Sequence, residues 1–225
     1  MDDDEVPVLV NKLVKEVITN YANNGSTITK TYSYNSDYRV TEVLYETAPG
    51  NFDPATYTYS YTEDRITGLE ITDGQSYQFN YTNGLITSGS WDFFDHHFDF
   101  EYEYDGSNNI ITYTKHENGT SCVETYLYDA NGNRIELDSG CFDVIASLIF
   151  DEKQNPMRLV FDASAYAKTL FIGPNNYLRV NQVFGSTDQT TDYIYSYNDE
   201  DLPKFYSGFR NGELLVRYDF TYEEL

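Results

Sequence analysis

The densest group of side chains able to do chemistry is the stretch 91–105, WDFFDHHFDFEYEYD, which sets two of the three histidines among Asp92, Asp95 and Asp99. Imidazole beside carboxylate can hold zinc or a similar ion, so Asp95, His96 and His97 are the candidate ligands of a metal site. Adjacent histidines on a strand point to opposite faces, however, and Asp-His-His is also ordinary composition for a hairpin tip. The Asp/Asn-rich turns 129–133 and 198–201 offer oxygen ligands for calcium, but neither carries the full spaced-ligand loop with its terminal glutamate. No Ser-His-Asp or Cys-His grouping, P-loop or phosphate-cradling glycine loop is present, and no cofactor is implied. With 37 acidic residues, chance carboxylate pairs are plentiful, and their separations are not legible from sequence. The residues point away from catalysis and towards a chain that binds.

The chain has 225 residues, enough to bury a real core. Its apolar content is dominated by 23 Tyr and 14 Phe. Lys and Arg number 14 against 37 Asp and Glu, a net charge of −23. Such a charge repels nucleic acid and anionic membrane surfaces, so neither is expected as a partner. No run of about 18 apolar residues exists to form a transmembrane helix.

The elements that must position these side chains are hairpins. In 124–137, ETYLYDANGNRIEL, two short strands fold back over Asn131-Gly132, the dipeptide of tight hairpins. A two-residue loop predicts that Tyr128 faces Ile135, Tyr126 faces Leu137, Cys122 faces Cys141 and Asp129 meets Arg134. Variants recur along the chain: a strand ending in YxY or similar, a polar turn, then a strand opening on a branched apolar residue. The last aromatics before the turns are Tyr34, Tyr61, Tyr81, Tyr104, Tyr128 and Phe150, roughly two dozen residues apart, room for two strands and two turns each. Residues 147–159, 169–180 and 193–205 read as further hairpins, 8–19 reads as the first strand, and no helix is expected.

Alternation fixes the faces. Tyr57, Tyr59 and Tyr61 lie opposite Thr58, Ser60 and Thr62, and Phe98, Phe100, Tyr102 and Tyr104 lie opposite Asp99, Glu101 and Glu103. With no helices to cover it, the aromatic face must be covered by the sheet itself. The expected fold is all-β: an antiparallel up-and-down meander of about 16–18 strands closing into a large β-barrel. A barrel that wide is either flattened or leaves a lumen for water or ligand. Mid-strand tyrosines and short strands favour a soluble barrel over a lipid-facing porin. The expected organisation is an acidic tether over residues 1–7 and a single β domain over 8–225.

Two resemblances follow from these motifs. The segment TYLYDANGNRIEL is similar to the tyrosine-aspartate (YD) repeat of Rhs-type shell proteins, through Tyr126, Tyr128, Asp129, Gly132, Asn133 and Ile135. The start MDDDE resembles that of mature Bacteroidota surface lipoproteins, in which acidic residues follow a lipidated cysteine, although no such cysteine is present here. Repeat, acidic start and length together resemble the Bacteroidota surface lipoproteins of porin-like fold. That resemblance implies a barrel, a lipid-anchored address on the outer-membrane surface (or facing the periplasm) and no activity. In an exported chain, facing Cys122 and Cys141 suggest a disulfide, with two buried thiols as the alternative. Two functions are then expected. One is a non-catalytic interaction subunit docked on an envelope or outer-membrane protein of a transport or secretion machine. The other is a barrel module that binds a glycan or an apolar ligand.

Overall fold

Along every second strand, rings alternate with Thr, Ser, Gln, Asp and Glu, and a computed structural model shows where that alternation leads. It describes residues 11–23, 25–49, 53–161, 165–170 and 173–224. The acidic start expected to form a tether lies outside them.

The first strands are β1 (Asn11–Asn20), β2 (Ser26–Tyr34), β3 (Val40–Ala48), β4 (Ala55–Thr62), β5 (Arg65–Ile71) and β6 (Ser76–Thr82). There follow β7 (Leu85–Phe93), β8 (His96–Tyr104), β9 (Ile110–Glu117), β10 (Thr120–Tyr128), β11 (Arg134–Ser139) and β12 (Val144–Gln154). Two short helices, α1 (Arg158–Phe161) and α2 (Ala165–Thr169), precede β13 (Asn175–Phe184), β14 (Thr187–Tyr197), β15 (Pro203–Arg210) and β16 (Glu213–Glu224). Each strand pairs antiparallel with the next, and β1 pairs with β16, closing the barrel. The all-β meander is therefore as the sequence predicts.

The rings point inwards. Tyr32, Phe79, Phe98, Phe100 and Tyr126 are buried, while Thr58, Ser60, Gln78, Asn80, Asp99, Glu101 and Glu103 are exposed on the outside. A lipid-facing barrel would set that row of β8 carboxylates in hydrocarbon, so these strands present no lipid-facing band. No helix among the described residues is long and apolar enough to cross a membrane.

The repeat itself has a physical cause. Where a return strand begins, one extra residue bulges, and the carbonyl of the residue before it accepts a phenol from a neighbouring strand. Tyr34 donates to Leu13 O at 2.7 Å, Tyr61 to Val40 O at 2.6 Å, Tyr81 to Ile66 O at 2.7 Å and Tyr104 to Ile86 O at 2.5 Å. Tyr195 on Tyr177 O and Tyr222 on Pro203 O repeat the contact beyond the helices, at 3.0 and 2.9 Å. Each accepting residue sits at a break in ladder register. In the contacts of Tyr61, Tyr81 and Tyr104, the aromatic before one turn thus fastens the branched apolar residue that opened an earlier return strand, at about 1 kcal/mol per bond.

The bulge also corrects the predicted hairpin. Tyr126 pairs with Leu137 as expected, but Tyr128 pairs with Arg134, not Ile135, and Asp129 does not meet Arg134. The loop is 129–133, not a two-residue turn: Asp129 N donates to Asn133 O and Gly132 alone takes positive φ there, at 83°. Asp129 Oδ1 accepts the N–H groups of Asn131 and Asn133, the Asx arrangement that competes with a tighter turn. Loops 35–39, 105–109 and 198–202 close the same way, with Asn35, Asp105 and Asn198 in the first position. The disulfide survives the correction, because the slip lies near the loop: Cys122 and Cys141 are bonded, with Cα atoms 5.0 Å apart. Replacing both cysteines by serine should lower stability by about 3 kcal/mol through loop-closure entropy. Denaturant unfolding of the variant against the oxidised parent checks this; equal midpoints would contradict it.

The expected absence of helices is wrong. Residues 147–159 and 169–180 are not hairpins; between β12 and β13 the chain makes α1 and α2 and turns into the barrel. Val160, Phe161, Tyr166 and Ala167 are buried there, in one cluster with Leu13, Val43, Leu69 and Phe79. The connection is a plug at the end where the even-numbered strands finish. The aromatic face is therefore covered by a helical segment as well as by the sheet.

Close packing inside the wall is tightest at Gly89. A Cβ on Gly89 would lie 2.2 Å from Gln78 O and 2.3 Å from Phe100 Cζ, its partner across β7 and β8. Gly89→Ala must shift backbone as well as ring and should cost about 1–3 kcal/mol or more. A thermal melt reads it; an unchanged midpoint would mean the seam is looser than this.

Candidate functional site

Between the plug and the opposite end of the barrel lies a cavity of about 340 Å³. Its walls come from period-2 alternation on β3 to β9, which sends Tyr45, Tyr57, Tyr77, Trp91, Phe98 and Tyr102 to one side of the sheet. The plug contributes Met157, Phe161 and Tyr166 at one end, with the exposed Leu170 at its edge. At the other end Tyr57, Gln75 and Trp91 are only half-buried, so the cavity opens there.

The wall is ordered by register. Tyr77 pairs with Trp91 and Trp91 with Phe98. Their rings stack, Tyr77 on Trp91 at 5.5 Å and 4°, Trp91 on Phe98 at 4.7 Å and 22°. The indole Nε1–H donates to Gln75 Oε1 at 3.3 Å, which fixes the ring at the mouth. Lys115 Nζ stands 4.4 Å from the centre of Phe98 and Lys30 Nζ 5.5 Å from that of Tyr45. Lys30 is paired with Glu16 at 2.7 Å, and Lys115 lies 3.8 Å from Glu117. Burial, with the nearby Tyr57 and Tyr113, pushes the Tyr77 phenol up to about 12, and burial followed by Glu124 does the same for Tyr113. These phenols are neutral donors at ordinary pH. The site is apolar, ringed and almost without free charge. It suits binding, and it gathers no acid–base or nucleophile pair.

Of the predicted metal ligands, Asp95 lies in the turn between β7 and β8, and His96 and His97 open β8, at the same end as the mouth. They do not converge. His97 faces outwards, its Nδ1 2.6 Å from Asp92 Oδ1 and its Nε2 3.4 Å from Asp99 Oδ1. The Asp92 hydrogen bond raises its pKa above the usual imidazole value. His96 faces the other way, stacked on Phe98 at 6.0 Å with Nδ1 3.3 Å from Glu117. Among the described residues no three His, Cys, Asp or Glu side chains are grouped to hold an ion. The turn candidates for calcium are occupied too, since Asp129 and Asn198 direct their oxygens into their own loops. The alternation places the aromatics inwards and the strand number allows a lumen, but nothing in the alternation announces the plug that shapes the cavity.

No protein-family model matches the chain, and no curated protein matches its sequence. Solved structures do. A porin-like protein from Bacteroides uniformis superimposes with a TM-score of 0.66 at 16% identity, over 94% of this chain and 98% of that one. A porin-like protein from Bacteroides vulgatus gives a TM-score of 0.63 at 12% identity, over 96% and 100%. The chain, a closed sixteen-stranded meander, thus shares its fold with these porin-like proteins, and at this identity the likeness establishes fold alone.

Proposed function

We propose that the chain is a non-catalytic binding barrel whose open lumen takes the apolar ring of a small ligand, such as a cyclic hydrocarbon group or the less polar face of a sugar. The observation that carries this is the cavity of about 340 Å³ walled by stacked aromatic rings and open at one end. Its size falls at the lower part of the roughly 300–1,000 Å³ range of small-molecule pockets, and its chemistry matches them: mostly apolar walls with a few placed polar groups. A thermal-shift screen of neutral cyclic compounds and short neutral glycans tests the reading. Hits are expected, and their effect should vanish when Leu69→Trp fills the cavity. Silence from both classes, or hits insensitive to the filling variant, would contradict it.

A second reading, the docking subunit of a larger envelope assembly, has its own support. The outside of β4, β6 and β8 is polar, but β10, β12, β13 and β14 expose Val123, Leu127, Ile145, Ile149, Val183 and Ile194. Ile145 and Val183 are direct cross-strand neighbours. A row of apolar residues on one flank fits a protein partner better than bulk water. On this reading the acidic start carries a lipid anchor and holds the barrel at the outer-membrane surface or facing the periplasm, with no strand in the bilayer. Stoichiometric co-purification from native membranes, lost in Ile149→Lys, is the expected result. Recovery of the barrel alone under mild detergent would count against this reading and leave the lumen as the functional surface.

A further inference from the structure

The plug end of the barrel carries a second cleft, which differs from the lumen in the charge of its lining. It has a volume of about 240 Å³ and lies between the loops 105–109 and 129–133 and the plug. Arg134 from β11, Arg158 from α1 and Lys168 from α2 line it, with Asn109 and Asn131, and among the described residues no aspartate or glutamate lines it. In a chain with 37 acids and only 14 Lys and Arg, three cations facing one cleft is a strong local reversal of charge.

The described carboxylates of the two loops direct their oxygens into their own turns. Asp105 accepts the N–H groups of Ser107 and Asn109 on Oδ1 and the Asn109 amide on Oδ2. Asp129 does the same for Asn131 and Asn133. Arg134 lies over the Tyr126 ring at 5.2 Å, and that phenol holds Glu124 deeper inside at 2.6 Å. Lys168 Nζ donates to Asn108 O at 2.5 Å, which fixes the ammonium at the rim. Desolvation and the neighbouring Arg158 lower its pKa against the opposing pull of Asp105. The walls are tied as well: Asn133 Nδ2 donates to Asn175 Oδ1 at 3.0 Å, and Asn175 N returns to Asn133 Oδ1 at 3.1 Å.

We propose that this cleft binds a small oxyanion of the phosphate type. Two guanidinium groups and an ammonium supply charge-assisted donors matched to a tetrahedral dianion, and such a ligand would relieve their mutual repulsion. The cleft is several times the roughly 30 Å³ share of one water, so a phosphoryl group fits with part of its hydration. The same chemistry comes as free phosphate or as the phosphoryl end of a larger molecule. The site is independent of the lumen reading.

The test is isothermal calorimetry on the full chain with inorganic phosphate and with glycerol phosphate, each against chloride at matched ionic strength. Saturable heat is expected, at least tenfold weaker in Arg158→Gln/Lys168→Gln. Tighter glycerol phosphate assigns the site to a phosphoryl-bearing molecule, and equal or weaker binding assigns it to the free ion. No saturable heat with either, or heat unchanged in the variant, overturns the proposal. If circular dichroism shows that the double variant is unfolded, Lys168→Gln alone is read by the same criterion.

Discussion

Tyr166→Ala should lower the stability of the barrel by about 3–5 kcal/mol, the cost of removing a large ring from a packed core. Tyr166 is 4% exposed and meets Phe161, Phe79 and Tyr59 edge-on at 5.2, 5.3 and 5.8 Å. Those rings belong to the plug and to β6 and β4, so one truncation unseats the helical segment from the wall on two sides. Helices as short as α1 and α2 do not hold themselves, because nucleation is unfavourable at that length. Their order depends on this packing. Tyr166→Phe keeps the ring and should lose far less. Urea unfolding of the two variants measures the difference; similar midpoints for Tyr166→Ala and the parent would mean that the plug rests on the barrel without stabilising it.

Alkali should unfold the protein cooperatively between about pH 10 and 12. Burial pushes the phenols of Tyr81, Tyr128 and Tyr193 up to about 12, like those of Tyr77 and Tyr113. Tyr32, Tyr59, Tyr102 and Tyr195 are driven higher still, again chiefly by burial. A phenol with a raised folded pKa holds its proton more tightly in the native chain. Its contribution is fully present below the unfolded value near 10 and is lost as pH rises towards the folded value. Each such group removes up to about 1.4 kcal/mol per pH unit, less where water reaches the ring. Against a typical stability of about 5–15 kcal/mol, a handful is enough. Absorbance at 295 nm and far-ultraviolet circular dichroism should therefore jump together. Gradual titration of most tyrosines near pH 10 with the sheet intact would contradict the buried-ring account.

How much of this was legible in the sequence depends on range. Period-2 alternation is local, and it placed Tyr57, Tyr59, Tyr61 and the β8 rings on the inner face correctly. Barrel closure followed from the need to cover that face. At 129–133 the Asn-Gly dipeptide alone suggests a two-residue turn, but the Asp129 side chain organises a wider one. The repeated Asx in the first position, Asn35, Asp105, Asp129 and Asn198, was the available signal. The plug was missed for a different reason. Its helices are too short to show a period, and their apolar residues match strand composition equally well. One cue was present: Asn155 caps the turn, accepting Met157 N at 3.0 Å, and Pro156 follows it at the start of the helical run. The basic cleft was invisible altogether, since Arg134, Arg158 and Lys168 come from separate elements and meet only in the fold.

Trp91, the single tryptophan, lies in the cavity wall and reports on it directly. The decisive measurement is its fluorescence during titration with a neutral p-nitrophenyl glycoside, whose ring quenches indole at close range, beside the matching methyl glycoside. Saturable quenching by the nitrophenyl compound, weakened at least tenfold in Leu69→Phe, is the predicted result. A matching response to the methyl compound would place a sugar face in the lumen. Linear, non-saturating quenching that is the same in the parent and in Leu69→Phe would contradict a binding lumen and leave the barrel as a scaffold for its outer face.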